Sequence, residues 1–223
     1  PKEMELFIAW FNATAPGGAN PILNPILRSG LTHLYFESIH PFEDGNGRIG
    51  RALAEKALHQ GVDQPILIGL SQVLEADRNL YYKQLKQAQR TLQIDGWLLY
   101  FAEVVLKAQE KVEQLIEYSL LKTQLFDTYR KELNERQLKV LNRMLEEGPD
   151  GFQGGMNAKK YMSLTGASKA TATRDLQQLR NLGIFLRAFP RKRKIGLIMK
   201  PTIPSPAILK LGCHMLFKKC ILI

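Results

Sequence analysis

The chain has 223 residues, 45% of them hydrophobic and 23% charged, which excludes an intrinsically disordered chain and suffices for one large domain or two small ones. The formal net charge of +10 is uneven, because residues 1–150 carry 17 Lys+Arg against 20 Asp+Glu, whereas residues 151–223 carry 14 against 1. A basic last third is typical of a nucleic-acid-binding module joined to another domain, and equally of a solvated basic tail.

The two cysteines, Cys213 and Cys220, are too few for a disulfide framework or a cysteine-rich zinc site. The N-terminal residues show no basic stretch followed by an apolar one, and no apolar run approaches the roughly 20 residues of a membrane span. We therefore expect a cytoplasmic protein without a membrane partner. Because the first residue is Pro rather than Met, we also expect the sequence to begin inside a longer protein.

The first 130 residues show helical periodicity without alternating strand patterns, which predicts an all-α first part. The first helix is indicated by apolar residues at helical spacing: Met4, Leu6, Phe7, Trp10 and Phe11. A loop follows over 14–25. Further helices are predicted from about Ser29, from Arg51 to near Gly61, from an N-cap at Ser71 through Leu85, and from about Asp95 to Tyr118.

From Asn134 onward the predicted elements become shorter. They are a helix over 135–147, a Gly-rich loop over 148–155, a helix over 157–164, a tight turn over 165–167 and a helix with its N-cap at Ser168 that runs to about Leu182. Two helices joined by such a turn have helix-turn-helix spacing. We place the boundary between the two parts between residues 122 and 134.

The segment from His40 to Arg51, HPFEDGNGRIGR, combines the groups that bind and activate a nucleotide phosphate. Its Gly-Asn-Gly run, residues 45–47, opens a helix, so backbone N–H groups and the helix N-terminus favour an anion there. Arg48 and Arg51 lie three apart and can neutralise phosphates. Asp44 is suited to Mg²⁺ beside phosphates, and His40 can accept a proton near neutral pH. The segment therefore predicts phosphoryl or nucleotidyl transfer.

These residues resemble the Fic family signature, His-Pro-Phe-x-Asp/Glu-Gly-Asn-Gly-Arg with a second Arg three residues on, and every position matches. The resemblance covers about residues 1–120. It implies a mainly α fold, with a Fic-type helical domain over 1–125, a small winged helix-turn-helix domain over 126–200 and an atypical tail over 201–223. It also implies a protein adenylyltransferase that transfers AMP from ATP to a Ser, Thr or Tyr hydroxyl of a target protein.

The resemblance further implies roles for eight residues of the segment. His40 would deprotonate the target hydroxyl, Asp44 would coordinate Mg²⁺, and Phe42 would anchor the loop in the core. The other residues would hold the nucleotide: Gly45, Asn46 and Gly47 at the α- and β-phosphates, Arg48 beside them, and Arg51 at the γ-phosphate. Adenylylation is favoured over phosphorylation, because Doc-like phosphotransferases depart from the pattern where this chain keeps its Gly-Arg pair.

Fic proteins are commonly inhibited by a helix with the pattern Ser/Thr-x-x-x-Glu-Gly/Asn, whose Glu pairs with the second motif arginine. The nearest string that we identify, residues 91–96, has Asp in place of Glu, and we treat it as chance. The inhibitory helix is expected upstream of this sequence, so Arg51 is expected to be unrestrained. His33 is predicted to be a packed helix residue and His59 a surface residue. Tyr81 and Tyr82 are predicted to be core aromatics, with an adenine-pocket wall as the alternative.

The second part resembles the winged helix-turn-helix attached to many bacterial Fic proteins. The helix from Ser168 would read DNA through residues near its start: Lys169, Thr171, Thr173 and Arg174. Phosphate contacts would come from Lys159, Lys160 and Arg180. A Gly-rich wing is expected after Arg187, but a basic run over 188–194 stands there instead.

Several alternatives stay open on the sequence. The winged helix could serve protein contacts alone, and the whole chain could be a nucleotide-sensing DNA-binding regulator or a Doc-like phosphotransferase toxin. The oligomeric state is also open, with a homodimer as one alternative.

Overall fold

The computed structural model describes residues 2–62, 67–91, 93–187 and 197–199, and this part of the chain is mainly helical, as predicted. Its elements are α1 (Lys2–Ala13), α2 (Pro25–Ile39), α3 (Asn46–Gln60), α4 (Leu70–Ala76), α5 (Arg78–Arg90), α6 (Asp95–Tyr129), α7 (Glu135–Leu145), α8 (Ala158–Thr165), α9 (Lys169–Asn181), β1 (Phe185–Arg187) and β2 (Leu197–Met199). The described residues form two compact units, the first ending at Val112 and the second beginning at Glu113, so the division lies inside α6. The basic run 188–194 and the tail 201–223 lie outside the described residues.

Helix α2 begins earlier than the sequence analysis predicted. The Asn24 side chain accepts hydrogen bonds from the backbone N–H groups of Ile26 and Leu27, and Pro25 occupies the first turn. An Asn cap followed by Pro is a favourable helix start, so the predicted start near Ser29 was wrong.

The predicted helix from Ser71 through Leu85 is two helices. Asp77 leaves the helical conformation at φ −135° and ψ 67°, and its side chain caps α5 through the backbone N–H of Leu80. The residue before α4 is Gly69, and Ser71 lies inside the helix, so the predicted Ser71 cap was wrong. Helix α6 also continues to Tyr129, past its predicted end at Tyr118.

The core of the first unit is built around α2, which packs against α3. Its larger cluster consists of apolar side chains from α2 to α6: Ile26, Leu34, Ala54, Leu58, Leu70, Leu74, Tyr81, Leu85, Ala88, Trp97, Phe101, Val104, Val105 and Ala108. Trp97 donates its indole N–H to the backbone oxygen of Gly30 at 2.9 Å. The buried Arg28 donates to the backbone oxygens of Phe11 and Ala57. These bonds fix α2, and hence the loop that follows it, against α1, α3 and α6.

The second unit is a three-helix cluster, α7 to α9, followed by the antiparallel pair β1 and β2, in which Phe185 lies opposite Met199. Asn134 and Gln137 form a reciprocal capping box at α7. Gly166 at φ 71° ends α8, and Ser168 caps α9 through the N–H of Thr171, as predicted. The only acidic residue after Asp150 is Asp175.

Asp175 is buried within the second unit, where it joins all three helices. It accepts hydrogen bonds from Arg136 Nε at 2.9 Å, from the Tyr161 hydroxyl at 2.9 Å and from Asn134 Nδ2 at 3.3 Å. Burial by itself would raise the pKa of Asp175, but these hydrogen bonds outweigh it and the pKa is lowered. The carboxylate is thus held ionised where it fixes α9 to α7 and α8.

Candidate nucleotide-binding site

The loop between α2 and α3 begins at a strained residue. His40 is the C-cap of α2 with φ 48° and ψ 58°, and it is the one non-glycine residue of the described chain with a positive φ. Such a conformation is uncommon for a residue with a side chain, and it persists only where the surroundings impose it. The His40 side chain is 63% exposed at this bend. The bend therefore presents the imidazole to solvent beside the loop.

Asn46 holds the loop closed. Its amide oxygen accepts the backbone N–H of Phe42 at 3.0 Å, its amide nitrogen donates to the Phe42 backbone oxygen, and the residue is only 3% exposed. Both polar atoms of the Asn46 side chain are therefore used within the loop. The group of Asn46 that can bind an anion is its backbone N–H. Phe42 is 46% exposed, and its ring centroid lies 6.3 Å from that of the buried Phe36. The prediction that Phe42 anchors the loop in the core was wrong, because Asn46 supplies that anchor.

The two glycines of the loop meet different requirements. Gly45, at φ 88°, precedes α3 in the left-handed region that favours glycine. Gly47 lies in the first turn, where a Cβ would stand 3.1 Å from Arg51 Nη1. The absence of side chains keeps the N-terminus of α3 open, with its unpaired N–H groups available to an anion.

An open cleft of about 200 Å³ lies at this helix start. Its walls come from the motif loop and from α4 and α5: Asp44, Gly45, Gly47, Arg48, Arg51, Leu74, Glu75, Arg78, Tyr81 and Tyr82. Within the described chain, His40, Phe42 and Asn46 do not line it. Three arginines face two carboxylates, so the walls carry a net positive charge. The first turns of α3 and α5 both contribute, which places two positive helix ends at one cleft.

The sequence analysis missed Glu75 and Arg78. Arg78 opens α5 directly after the Asp77 cap, so recognising that cap would have indicated a second helix start near the motif. Tyr82 is 54% exposed and lines the cleft, so its predicted place in the core was wrong, whereas Tyr81 is buried as predicted.

Asp44 forms an ion pair with Arg48, with Oδ2 3.0 Å from Nη2, and both side chains are largely exposed at 92% and 74%. Exposed pairs one helical turn apart contribute only about 0.5 kcal/mol, so a ligand can replace either partner. Among the described residues there is no cluster of three potential metal ligands. A single exposed carboxylate beside a phosphate site nevertheless fits Mg²⁺, which takes few protein ligands and keeps water and phosphate oxygens as the others.

Arg51 donates a 2.9 Å hydrogen bond from Nε to the Ser71 hydroxyl of α4, and it forms no ion pair with a described residue. Ser71 and Glu75 have the Ser-x-x-x-Glu spacing of the inhibitory pattern, followed by Ala76 instead of Gly or Asn. Like the string 91–96 they depart from that pattern at one position, but Ser71 bonds to the arginine and Glu75 lines the same cleft. The sequence analysis overlooked them because Ser71 was interpreted as a helix cap.

A buried polar group lies behind the loop. His33 Nε2 is 3.0 Å from the Tyr81 hydroxyl, and its ring stacks on Trp97 with centroids 5.8 Å apart. Burial lowers the pKa of His33 to about 4, with a smaller lowering from the charge of Arg51 and an opposing contribution from the Gly50 backbone. His33 is thus a packed, hydrogen-bonded residue, as predicted. His59 is exposed in the last turn of α3, also as predicted.

In the second unit, the predicted DNA-reading residues lie at the start of α9. Lys169, Thr173 and Arg174 are exposed, and Thr171 is half-buried. Thr173 donates its hydroxyl proton to the Lys169 backbone oxygen at 2.8 Å. Lys160, predicted to meet phosphates, instead donates to the backbone oxygens of Gln153 and Gly155 at 2.8 and 2.9 Å. Lys160 therefore stabilises the Gly-rich loop.

The helices of the described residues include none that is both long and apolar enough to cross a membrane.

Residues 1–58 match a family model described as Fic/DOC family. The chain is similar to several relatives named protein adenylyltransferase Fic. One from Nematostella vectensis is 37% identical over 87 residues, covering 39% of this chain and 18% of the relative. One from Drosophila yakuba is 35% identical over 85 residues, and one from Drosophila melanogaster is 34% identical over 85 residues. Each of these alignments covers 38% of this chain and 15% of the relative. The chain thus spans less than a fifth of these relatives' length.

Proposed function

This chain carries a Fic/DOC family domain, and we propose that it transfers AMP from ATP to a hydroxyl side chain of a target protein. The observation that carries the proposal is the cleft at the start of α3, where open backbone N–H groups, Arg48 and Arg51 meet directly after the exposed imidazole of His40. The names of the relatives support the adenylyl group as the one transferred.

In the proposed reaction, the target hydroxyl oxygen attacks the α-phosphorus of ATP while His40 takes the hydroxyl proton. The α-phosphorus loses its bond to the oxygen that bridges the α- and β-phosphates. Pyrophosphate leaves with that oxygen. The products are an AMP ester of the target and a protonated His40, which returns its proton to solvent from its exposed position. The N–H groups of residues 45–47, with Arg48 and Arg51, stabilise the charge that develops on the phosphate oxygens.

Asp44 would hold Mg²⁺ through its single carboxylate. A bound Mg²⁺ neutralises phosphate charge and orients the polyphosphate. For this Asp44 must exchange its exposed ion pair with Arg48, which leaves the guanidinium of Arg48 available to the nucleotide. Tyr82 lines the same cleft and is 54% exposed, so its ring would stack on the adenine.

Intact-mass analysis after incubation with ATP and Mg²⁺ tests the proposal, with the chain itself and added protein as acceptors. A gain of one AMP that is lost in His40→Ala supports adenylyl transfer. A gain of one phosphate would instead support the phosphotransferase alternative. Nucleotide binding without any transfer, unchanged in His40→Ala, would support the nucleotide-sensing regulator.

We also propose that the second unit is a winged helix-turn-helix that binds DNA. The supporting observation is that the exposed start of α9 carries Lys169 and Arg174, while Asp175, the only acid after Asp150, is buried and paired. Fluorescence anisotropy with a mixed-sequence duplex tests it. Lys169→Ala combined with Arg174→Ala should weaken binding and reduce its salt dependence. Equal binding by this double variant would refute a role for α9.

A further inference from the structure

Glu37 is a buried carboxylate directly beneath the exposed His40. It lies one turn earlier on α2, and its side chain is 6% exposed against 63% for His40. Glu37 Oε2 is 3.8 Å from His40 Nδ1, whereas Oε1 is buried without a hydrogen-bond partner among the described residues. Burying a carboxylate with an unsatisfied oxygen opposes folding, so packing alone does not account for Glu at this position.

The packing around Glu37 leaves room for this carboxylate and little else. A Cβ added to Gly50 of α3 would collide with Glu37 Oε1 and would stand 3.3 Å from His33 Nδ1. The Glu37 backbone oxygen is held by Gln89 of α5 at 3.2 Å. The carboxylate is therefore confined between α2 and α3, with His40 as the group that Oε2 approaches.

We propose that Glu37 is a positioning residue for His40, which accepts the Nδ1–H of the imidazole and so directs Nε2 towards the target hydroxyl. The inference rests on the proposed transferase function. The distance of 3.8 Å exceeds a hydrogen bond, but the exposed ring turns about its side-chain bonds, and catalytic hydrogen bonds often tighten only when substrate binds. His40 adopts its left-handed backbone conformation one turn after Glu37, at the end of α2.

Charge supports the same assignment. Burial raises the pKa of Glu37, and the neighbouring positive groups, a protonated His40 and Arg51, oppose that rise. An ionised Glu37 would place its negative charge 3.8 Å from the imidazole that takes the hydroxyl proton. Glu37 would thus act in the transition state more than in ATP binding, where Arg48 and Arg51 meet the phosphates.

The test compares Glu37→Gln and Glu37→Met with Glu43→Gln, which removes the same charge from an exposed residue of the loop. We expect Glu37→Gln to lower kcat about tenfold or more and Glu37→Met to lower it further. Both should leave the KM for ATP near wild type, with a melting temperature no lower than wild type. Glu43→Gln should keep wild-type kcat.

A second measurement does not depend on turnover. The ¹H–¹⁵N spectrum of the imidazole side chains, assigned with His40→Ala, should show Nδ1–H as the main neutral tautomer of His40 in the wild type and a shift towards Nε2–H in Glu37→Met. The same tautomer in both proteins, or a wild-type kcat for Glu37→Gln, would overturn the inference. Failure of the wild type to transfer AMP would refute the proposed function, and the tautomer would still decide the role of Glu37.

Discussion

Arg51 and Ser71 are joined by a 2.9 Å hydrogen bond from the guanidinium Nε to the hydroxyl, which ties α3 to α4 at the cleft. The bond uses one edge of the guanidinium and leaves both terminal nitrogens for phosphate. It therefore pre-orders the arginine in a conformation that can bind ATP.

Removing this hydroxyl should weaken ATP binding. We expect Ser71→Ala to raise the KM for ATP about 2- to 10-fold with little change in kcat, the size expected for one hydrogen bond. Steady-state kinetics with varied ATP measures it. Ser119→Ala is the control, since that hydroxyl bonds only to the backbone of its own helix. A lower KM in Ser71→Ala would show that Ser71 competes with the phosphate.

Glycine at position 50 should be required for the buried carboxylate behind the loop. Gly50→Ala would place its Cβ against Glu37 Oε1 and lower the free energy of unfolding by about 1–3 kcal/mol, the usual cost of overpacking. Gly96→Ala, in a helix with nothing within 4 Å, should be neutral or slightly stabilising. Urea denaturation of both variants compares them. Equal stability would contradict the described packing of Glu37.

The stability of the first unit should fall in mild acid because of His33. Burial holds the pKa of His33 at about 4, below the ordinary value of 6.5, so between these pH values the unfolded chain binds a proton that the folded chain does not. Neutral His33 thus contributes at most about 3 kcal/mol to the free energy of unfolding. This contribution is complete above pH 6.5 and is lost as the pH falls towards 4.

Denaturation at pH 7 and pH 5, for the wild type and His33→Gln, measures this effect. Burial raises the pKa of Glu37, so its contribution to the free energy of unfolding is lost as the pH rises. The effect of His33 is therefore the difference in pH dependence between the wild type and His33→Gln. We expect a smaller loss in His33→Gln between pH 7 and pH 5. Identical losses would mean that His33 is protonated in the folded chain.

Asp175 should stabilise the second unit only while it is ionised. Asp175→Asn should lower the free energy of unfolding by about 2 kcal/mol, the size expected when hydrogen bonds to a buried charge are weakened. Because the pKa of Asp175 is lowered, its contribution is complete above about pH 4 and is lost as the pH falls further. Asp127→Asn, at an exposed carboxylate of α6, should leave the thermal transition unchanged. Equal melting temperatures for both variants would refute the role of Asp175.

Local chemistry made much of the secondary structure predictable. Periodic apolar residues indicated α1, and the Ser168 cap and Gly166 turn predicted the start of α9, because capping and left-handed turns depend on a few adjacent residues. The break at Asp77 was missed because the apolar pattern continues across it, although the aspartate side chain is itself a cap.

The sequence by itself determined the chemistry of the loop, since its histidine, carboxylate, glycines and arginines are contiguous and open one helix. Only the tertiary structure decided which groups surround them. Glu75 and Arg78 reach the cleft through the packing of α4 and α5, and Ser71 of α4 reaches Arg51 of α3. These contacts depend on how separate helices pack, a long-range outcome of burying their apolar faces that no local pattern of residues encodes.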